Sequence, residues 1–276
     1  MATVEENKRM WQEYGWTRAG DEWSNAWGSA VAEWRSTILP RLHQWVPTHT
    51  VLEIAPGFGR WTEYLKDLAQ HLILVDLTEK CITACRERFA TASNISYSVN
   101  DGRSLRAAGD RSVDFIFSFD SLVHVEADVI EAYLHEFART LNSDGVAFIH
   151  HSNIGAYRRR LTFGRQLDTV AARHWRLFRL TTKLEENFER VGLSWRNRHW
   201  RAESMTARRF EMLCHKAGLQ CRSQEIIPWG TSLLSDCISV VTRPGSRWGR
   251  SNVVLTNHDF AREIRYVAAL EPLYHR

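Results

Sequence analysis

The chain has 276 residues, which suits one large α/β domain with additions and leaves little room for two enzyme domains. Apolar residues make up 44% of the sequence and charged residues 25%, so the composition excludes disordered and fibrous proteins. The formal net charge is only +4, but it is unevenly spread, because residues 157–201 carry twelve Lys or Arg against four Asp or Glu. That basic segment either attracts phosphate, nucleic acid or an anionic membrane surface, or is a solvated helical face.

The first 50 residues are rich in tryptophan and are expected to form a helical segment. The tryptophans either bury these helices against the core or stack on a sugar ring. Placed over the ends of the strands, the segment would act as a lid that excludes water. The tryptophans concerned are Trp11, Trp16, Trp23, Trp27 and Trp34.

From residue 51 the pattern alternates between apolar strands and amphipathic helices. The predicted strands are VLEIA, LILVD, ISYSV, VDFIFSF and GVAFIHH, and the helices between them are GRWTEYLKDLA, TEKCITACRERFA and DVIEAYLHEFARTL. Continuous apolar strands that alternate with helices indicate a parallel sheet covered on both faces.

The second half of the chain adds an insertion and an antiparallel pair of strands. The insertion at 154–203 is too long for a plain loop and carries Trp175, Trp195 and Trp200. A helix at 206–218 precedes two strands, at 219–227 and 233–242, whose short connection predicts antiparallel pairing at one sheet edge. Residues 246–276 are expected to form a coil followed by a helix.

The predicted fold class is therefore α/β, a Rossmann-like three-layer sandwich. It has a seven-stranded, mostly parallel sheet with an antiparallel edge strand, N-terminal helices and a helical insertion after the fifth strand. We divide the chain into a helical lid at 1–50, a core at 51–245 that contains the insertion, and a C-terminal extension at 246–276.

The segment VLEIAPGFGR places Glu53, Gly57 and Gly59 where a strand turns tightly into a helix, so backbone can approach a ligand closely. Asp76 ends the next strand, 23 positions after Glu53. A carboxylate at that place in a nucleotide-binding βαβ unit accepts hydrogen bonds from ribose hydroxyls. The two features together predict a nucleoside-containing cofactor.

This set resembles the class I S-adenosylmethionine-dependent methyltransferases over residues 51–152. The resemblance implies that Glu53 lies near the amino group of S-adenosylmethionine, that Gly57 and Gly59 admit its methionine portion, and that Asp76 holds the ribose. It further implies that Asp101 faces the adenine amino group. Ala55, Leu77, Gly102 and Phe119 complete the implied cofactor site. The chain departs from the family pattern at Ala55 and Pro56, where the family has its first glycine and a variable residue.

Dinucleotide-binding folds begin with the same turn and are the main competitor for this motif. They bind pyrophosphate there and favour GxGxxG, whereas this chain has GFGRWT. Arg60 and Trp61 would crowd the pyrophosphate slot. The sequence therefore favours S-adenosylmethionine over a dinucleotide.

Polar clusters follow the fourth and fifth strands, FDSLVHVE at 119–126 and HHSN at 150–153. Ligands of open α/β sheets bind outside the carboxyl ends of the strands, so both clusters are expected to face one cleft. The arrangement resembles that of sugar O-methyltransferases, which carry a histidine just after the fourth strand. A base that removes the proton of an alcohol accelerates methyl transfer by roughly 10²–10⁴-fold.

We assign the general base to His124, with His151 as the next candidate, and expect Asp120 to orient and stabilise the His124 imidazole. His150 and Asn153 are assigned to binding neighbouring hydroxyls of the substrate. Two alternatives stay open. In the first, the histidines are structural. In the second, Asp120, His124 and a histidine of the fifth strand bind a divalent metal, although their spacing matches no standard ligand pattern.

The absence of one motif bears on which class of substrate accepts the methyl group. Methyltransferases that act on nucleobase amines carry (N/D)PP(Y/F) after the fourth strand, and this chain has FDSL. The resemblance implies O-methylation of a sugar hydroxyl on a glycan, glycolipid or glycosylated metabolite, as in polysaccharide biosynthesis, with the sugar carried on phosphate or lipid. An RNA or natural-product methyltransferase and a noncatalytic cofactor-binding subunit are the alternatives, and a homo-oligomer is left open.

The cellular setting is predicted from absences in the sequence. The five cysteines are odd in number and contain no CxxC pair, which fits a reducing compartment. The apolar runs are of strand length, too short to span a bilayer, and the N-terminus lacks the apolar stretch of a signal peptide. We therefore expect a cytoplasmic protein without a membrane span.

Overall fold

Eight β-strands form one sheet at the centre of the protein, in a computed structural model that describes residues 3–171, 183, 200–230 and 232–274. The strands are β1 (Thr48–Ile54), β2 (Ala69–Asp76), β3 (Ile95–Val99), β4 (Val113–Ser118), β5 (Leu141–Ser152), β6 (Gln220–Ile227), β7 (Asp236–Thr242) and β8 (Val253–Thr256). Their order across the sheet is β3, β2, β1, β4, β5, β7, β6, β8.

Strands β1 to β5 are parallel to one another, β7 runs antiparallel to both β5 and β6, and β8 is parallel to β6. This order brings the carboxyl ends of β1, β2 and β4 to one edge of the sheet. Because β5 pairs with β7 in the opposite direction, the start of β7 also lies at that edge, where Ser152 is opposite Asp236. Polar groups that are far apart in the sequence therefore meet at this edge of the sheet.

Helices cover the two faces of the sheet and the N-terminal region. They are α1 (Val4–Glu13), α2 (Ala30–Glu33), α3 (Leu39–Leu42), α4 (Thr62–Leu65), α5 (Glu79–Arg88), α6 (Ala127–Thr140), α7 (Arg158–Ala171), α8 (Ala207–Lys216) and α9 (Phe260–Tyr274). A π-helical turn lies at Trp34–Ile38, and 3₁₀ segments lie at Asp21–Trp27, His43–Trp45, Leu122–His124 and Ile154–Tyr157. Several helices begin at a threonine that caps them, such as Thr78 before α5 and Thr206 before α8.

Among the described residues, a large apolar cluster lies on each face of the sheet, and a small third cluster consists of Ile154, Leu161 and Leu233. Alternate residues of a strand point to opposite faces, so in β5 Ala147 and Ile149 join one cluster while Val146 and Phe148 join the other. The first cluster packs under α6 and α8. The second contains Trp27 and other N-terminal tryptophans. Burial on both faces explains why the central strands are continuously apolar in sequence.

The predicted Rossmann-like fold is confirmed, with two differences in detail. The sheet has eight strands rather than seven, because residues 253–256, expected as coil, form β8 beside β6. All four residues of β8 are exposed, so the strand lacks the inside-outside alternation that a sequence pattern detects. The helix expected at 59–69 is the single turn α4, because tight turns occupy residues 57–61 and β2 begins at Ala69.

The predicted insertion at 154–203 is only partly described. It begins with the 3₁₀ segment and α7, and its residues 200–202, which form no helix or strand, lie at the carboxyl edge of the sheet. Trp175 and Trp195 lie outside the described residues. Within the described parts of the chain, no helix combines the length and the apolar character needed to cross a membrane.

The turn after β1 depends on two glycines with left-handed backbone angles, Gly57 at φ +58° and Gly59 at φ +86°. A Cβ at Gly57 would lie 2.7 Å from the Trp16 ring, and a Cβ at Gly59 would lie 2.5 Å from the Phe89 ring. Both contacts are shorter than side chains tolerate. The absence of a side chain at Gly57 therefore leaves room for Trp16 of the N-terminal segment, and its absence at Gly59 leaves room for Phe89 at the end of α5.

We expect Gly59→Ala to destabilise the fold strongly, because the new methyl group adds a clash with Phe89 to the strain of a positive φ. Gly218→Ala is the matched control, since Gly218 has φ +75° but open space around its Cβ position. The control should cost about 1 to 2 kcal/mol from backbone strain alone, and Gly59→Ala about 1 to 3 kcal/mol more. Urea unfolding of both variants measures the difference, and equal losses would contradict the packing role of Gly59.

Candidate functional site

A cavity of 320 Å³ lies between the carboxyl edge of the sheet and the N-terminal segment. The sheet side contributes the loops after β1, β2, β3 and β4, and the N-terminal side contributes α1 and the turn that follows it. Residues 200 and 201 and Trp229 close a further side. The residues that line the cavity include Val4, Asn7, Trp11, Trp16, Trp23, Ala55, Gly57, Arg60, Trp61, Asp76, Leu77, Asn100, Gly102, Phe119, Asp120, His124, Trp200, Arg201 and Trp229.

Asp76 supplies a buried carboxylate to one end of the cavity. Its Oδ1 accepts hydrogen bonds from the Thr78 amide (2.8 Å) and hydroxyl (3.1 Å), and its Oδ2 accepts one from the Gly57 amide (3.3 Å). Burial raises the pKa of Asp76, while the bonds from Thr78 and Gly57 oppose that rise. Oδ2 accepts only one of these three bonds, so the carboxylate can still accept a hydrogen bond from a ligand hydroxyl.

Six residues predicted for the cofactor line this cavity together; Asp76 is the last residue of β2, and the other five lie on the loops that follow β1, β2, β3 and β4. The six residues are Ala55, Gly57, Asp76, Leu77, Gly102 and Phe119. Two of the tryptophans in the wall, Trp16 and Trp61, have buried indole N–H groups with no acceptor among the described residues. The cavity thus contains a carboxylate that can accept a hydroxyl, two indole N–H donors without an acceptor, and space beside glycine backbone. These features fit a nucleoside cofactor that carries a polar amino-acid tail.

Three residues predicted to contact the cofactor lie elsewhere. Glu53 is 1% exposed beneath the turn, where it accepts a hydrogen bond from the Thr62 hydroxyl at 2.6 Å. Burial raises its pKa to about 8. Gly59 faces α5, as its contact with Phe89 requires. None of the three, Glu53, Gly59 and Asp101, is among the residues that line the cavity.

Asp101 uses its carboxyl group within its own loop rather than toward the cavity. It accepts hydrogen bonds from the amides of Arg103 (2.8 Å) and Ser104 (2.7 Å), which is the behaviour of a turn aspartate. The neighbouring Asn100 lines the cavity instead and is held by Ser104 and Tyr133. Asn100, one residue before Asp101, is therefore the polar side chain that this loop places on the cavity wall.

Asp120 is held in a strained conformation at the wall of the cavity. It has φ +58°, an angle that is uncommon outside glycine. Its Oδ2 is 3.1 Å from Arg60 Nη2, and its Oδ1 is 3.6 Å from Arg201 Nη2. The expectation that Asp120 orients the His124 imidazole is wrong in this structure, because its carboxylate is taken up by the two guanidinium groups.

His124 ends the 3₁₀ segment Leu122–His124 and has its ring on the cavity wall. Its Nδ1 lies 3.2 Å from the carbonyl oxygen of Trp200, so Nδ1–H donates and Nε2 keeps its lone pair. The Trp11 ring packs beside it, with 5.6 Å between the ring centroids. Burial and the nearby charge of Arg201 lower the pKa of His124 to about 4. At neutral pH the ring is uncharged and can accept a proton.

The two histidines of β5 point to opposite faces of the sheet, because they are consecutive in one strand. His151 is fully buried, stacks on Phe210 of α8 at 4.0 Å, and bonds Ser239 Oγ through Nε2 at 2.8 Å. Burial lowers its pKa to about 3. Its assignment as the second candidate base is wrong, because it lies in the core away from the cavity.

His150 and Asn153 are also structural in their contacts. The His150 ring accepts a hydrogen bond from the Asp120 amide at Nδ1 (3.1 Å), and its Nε2 lies 3.0 Å from Asp236 Oδ2. Asn153 donates to the Leu234 carbonyl and accepts from the Ala207 amide, both at 2.8 Å. Neither lines the cavity, so neither can bind substrate hydroxyls as the sequence predicted.

The functional residues that sequence reasoning missed are charged or aromatic groups outside recognised motifs. Arg60 appeared only as an obstacle in the glycine-rich turn, Arg201 as one charge of a basic segment, and Asp236 as part of a strand. A lone aspartate at the start of the apolar run DCISVVT was the available signal, since a buried carboxylate needs a cationic partner. The identity of that partner could not be read from the sequence.

A metal site was the third interpretation of this cluster. Within the part of the chain that the structure describes, no group of three or more His, Cys, Asp or Glu side chains is arranged to hold a metal ion.

Comparisons with known proteins agree with the geometry of the cofactor end. Residues 51–145 match a family model described as a methyltransferase domain. A solved protein of Pyrococcus horikoshii OT3 aligns over 86% of this chain and 99% of its own length, with a TM-score of 0.56 and 18% identity. A SAM-dependent methyltransferase from Leishmania major aligns over 87% of this chain and 82% of its own, with a TM-score of 0.57 and 11% identity. Both likenesses concern the fold.

A curated relative, phosphoethanolamine N-methyltransferase 1 of Caenorhabditis elegans, is 28% identical over 114 residues. The match covers 41% of this chain, and the chain spans only 23% of that relative's length. Residues 51–145 are therefore similar to a methyltransferase domain, which agrees with the predicted cofactor, S-adenosylmethionine. The acceptor is a separate question.

The low pKa values of two histidines lead to a testable pH dependence. Nuclear magnetic resonance titration should give midpoints near 4 for His124 and near 3 for His151, against about 6.5 in the denatured chain. Both folded-state values lie below the unfolded one, so these rings stabilise the fold above about pH 6.5 and lose that contribution as the pH falls toward 4. The urea-unfolded protein is the control, and folded midpoints near 6.5 would contradict the assigned burial.

Proposed function

We propose that the chain transfers the methyl group of S-adenosylmethionine to a hydroxyl of a small sugar acceptor, with His124 as general base. The observation that carries this proposal is the position of His124. Its ring is on the wall of the cavity that also contains Asp76 and Gly57, and its Nδ1 is committed to the Trp200 carbonyl. The unprotonated Nε2 is then available to a substrate.

Residues at the β1, β2 and β3 ends of the cavity would hold the cofactor. Asp76 would accept hydrogen bonds from the ribose hydroxyls, and Gly57 and Gly102 would allow backbone to approach the ligand. Asn100 would offer its side-chain oxygen to the adenine amino group, because Ser104 and Tyr133 already take both N–H donors of its amide. When bound there, S-adenosylmethionine supplies an electrophilic methyl group on a sulfonium.

His124 would accept the proton of the acceptor hydroxyl as its oxygen attacks. A free alcohol is a poor nucleophile, and a positioned base contributes roughly 10²–10⁴-fold to such a step. A pKa of about 4 makes the imidazole a weak base, but it also keeps it unprotonated at neutral pH. The acidity of the hydroxyl rises as its oxygen bonds to carbon, so a weak base suffices when proton and methyl transfer occur together.

The shape of the cavity supports a small acceptor rather than a long nucleic acid. Helix α1 and the turn after it cover the carboxyl edge of the sheet, and Trp11, Trp16 and Trp23 line the cavity from that side. This cover supports the predicted lid, which would exclude water from the reactive sulfonium. Trp23 and Trp200 are 40% and 69% exposed while still lining the cavity, so they offer aromatic faces on which a sugar ring can pack.

Methyl transfer to an amine is the second candidate function. It is favoured by one specific observation, the 28% identity to a phosphoethanolamine N-methyltransferase over 114 residues. The same imidazole could remove a proton from an ammonium group. An acceptor panel separates the candidates: free and nucleotide-linked monosaccharides, phosphoethanolamine, and an RNA oligonucleotide, each incubated with labelled S-adenosylmethionine.

Transfer to sugar hydroxyls supports the proposal, whereas transfer to phosphoethanolamine alone would replace it with the amine reaction. Transfer to RNA, with an affinity that falls steeply as salt increases, would indicate phosphate recognition instead. Tight binding of S-adenosylhomocysteine without turnover of any acceptor class would indicate a noncatalytic cofactor-binding subunit.

We expect His124→Asn to lower kcat by about 10²–10⁴-fold while S-adenosylmethionine binds with near wild-type affinity. The asparagine amide can still donate to the Trp200 carbonyl, so the variant removes the Nε2 base and keeps the local hydrogen bond. His124→Ala removes both and should lower kcat at least as much. Steady-state kinetics with calorimetric cofactor binding measures the effect, and an unchanged kcat in His124→Asn would remove His124 from the base role.

We expect Asp76→Asn to weaken S-adenosylhomocysteine binding by roughly tenfold or more, because the carboxylate that would accept both ribose hydroxyls is replaced by an amide. Asp101→Asn is the matched control, one strand away, because its carboxyl group serves its own loop and should leave the affinity nearly unchanged. Isothermal calorimetry compares the two. Undiminished affinity in Asp76→Asn, or an equal loss in Asp101→Asn, would contradict the assignment of the ribose site.

A further inference from the structure

The protonation pattern of His124 depends on a segment distant in sequence. The acceptor for its Nδ1–H is the carbonyl of Trp200, which is 76 residues away. In a neutral imidazole, the hydrogen bond made by one nitrogen determines which nitrogen carries the proton. The catalytic form of His124 therefore requires that residues 200–202 be held against the 3₁₀ segment Leu122–His124.

The backbone of residues 200–202 is fixed at several points. The Ala202 amide donates to the Val123 carbonyl at 2.9 Å, and the Ser152 hydroxyl donates to the Ala202 carbonyl at 2.8 Å. Trp200 itself has φ +50°, an angle that a tryptophan adopts only when its surroundings impose it. Something next to Trp200 must hold its carbonyl in place.

Arg201 is the anchor that follows Trp200. Its Nε lies 3.0 Å from both oxygens of Asp236, and its Nη2 lies 2.8 Å from Asp236 Oδ2. The two side chains are 4% and 0% exposed, so the pair is buried. A planar guanidinium that grips a carboxylate through two nitrogens sets orientation as well as distance. The clamp therefore limits how far the Trp200 carbonyl can turn.

Asp236 also ties this clamp to the opposite wall of the cavity. Its Oδ2 lies 3.0 Å from His150 Nε2, and His150 Nδ1 accepts the Asp120 amide. Asp120 in turn pairs with Arg60. Burial alone would raise the pKa of Asp236, but Arg201 and His150 outweigh it, and the pKa lies well below its ordinary value. Asp236 thus stays charged and can hold both neighbours.

From these contacts we propose that the Arg201–Asp236 ion pair is a positioning device for His124. It holds the Trp200 carbonyl where it keeps the proton of His124 on Nδ1 and leaves Nε2 free toward the cavity. The importance of this for turnover rests on the proposed function of His124 as a base. The position of the proton does not, because it can be measured without any substrate.

The first test needs no variant. Long-range ¹H–¹⁵N spectra of the full-length protein at pH 7 distinguish a protonated imidazole nitrogen from an unprotonated one, and His124→Asn assigns the His124 signals. We expect Nδ1 to be protonated and Nε2 to be bare. A proton found on Nε2 would overturn the proposal.

The second test disturbs the clamp. Asp236→Asn removes the charge, and Arg201→Lys keeps a positive charge but loses the planar fork, which covers the case in which the first variant does not fold. Both should move part of the His124 proton to Nε2 and lower kcat by roughly tenfold or more, while KM for S-adenosylmethionine stays near the wild-type value. Glu225→Gln is the matched control, because it breaks a two-point pair with Arg41 that lies outside the cavity.

The outcomes separate this proposal from the proposed function. If folded Arg201→Lys keeps both the tautomer and kcat, or if Glu225→Gln shifts them equally, the positioning role is wrong. If the tautomer shifts as expected while His124→Asn retains full kcat, the positioning role stands and the role of His124 as base fails.

Discussion

The buried carboxylate of Asp236 is the constraint on which the arrangement of the site depends. A charge removed from water is costly unless it is paired, so the residues that meet it at the carboxyl edge have little freedom. Arg201 pairs with it on one side and His150 approaches it on the other, at 2.8 Å and 3.0 Å. Through these two neighbours it reaches the Trp200 carbonyl and the Asp120 backbone, and hence both walls of the cavity.

The same burial that makes these pairs necessary also shapes the chemistry of the site. Helix α1 and the tryptophans of the N-terminal segment cover the cavity, and their cover removes water from around His124. Desolvation disfavours the charged imidazolium, so the ring stays neutral at physiological pH. Under the proposed function, this cover would shield a reactive sulfonium and keep the base unprotonated. A more open site would give a stronger base, but one more often already protonated.

The roles of the histidines illustrate how far sequence reasoning reached. His124 was placed at the correct strand end, because the turn after the fourth strand of an open sheet faces the ligand. His150 and His151 were assigned to the same cleft, although consecutive residues of a strand must point to opposite faces. This alternation follows from the sequence alone and would have excluded one of the two histidines from the cleft. Only the tertiary structure shows that His150 also does not face the cavity, because its ring accepts the Asp120 amide and lies 3.0 Å from Asp236.

The sequence by itself determined the alternating α/β fold, the glycine-rich turn and the carboxylate at the end of the second strand, because each is local and has a short-range pattern. The tertiary structure decided which polar groups meet at the carboxyl edge, since Asp236, Arg201 and Asp120 come from three separate segments. It also decided that a backbone carbonyl, rather than the Asp120 side chain, accepts the hydrogen bond from His124 Nδ1. A carbonyl is present in every residue, so no sequence pattern marks the one that is used.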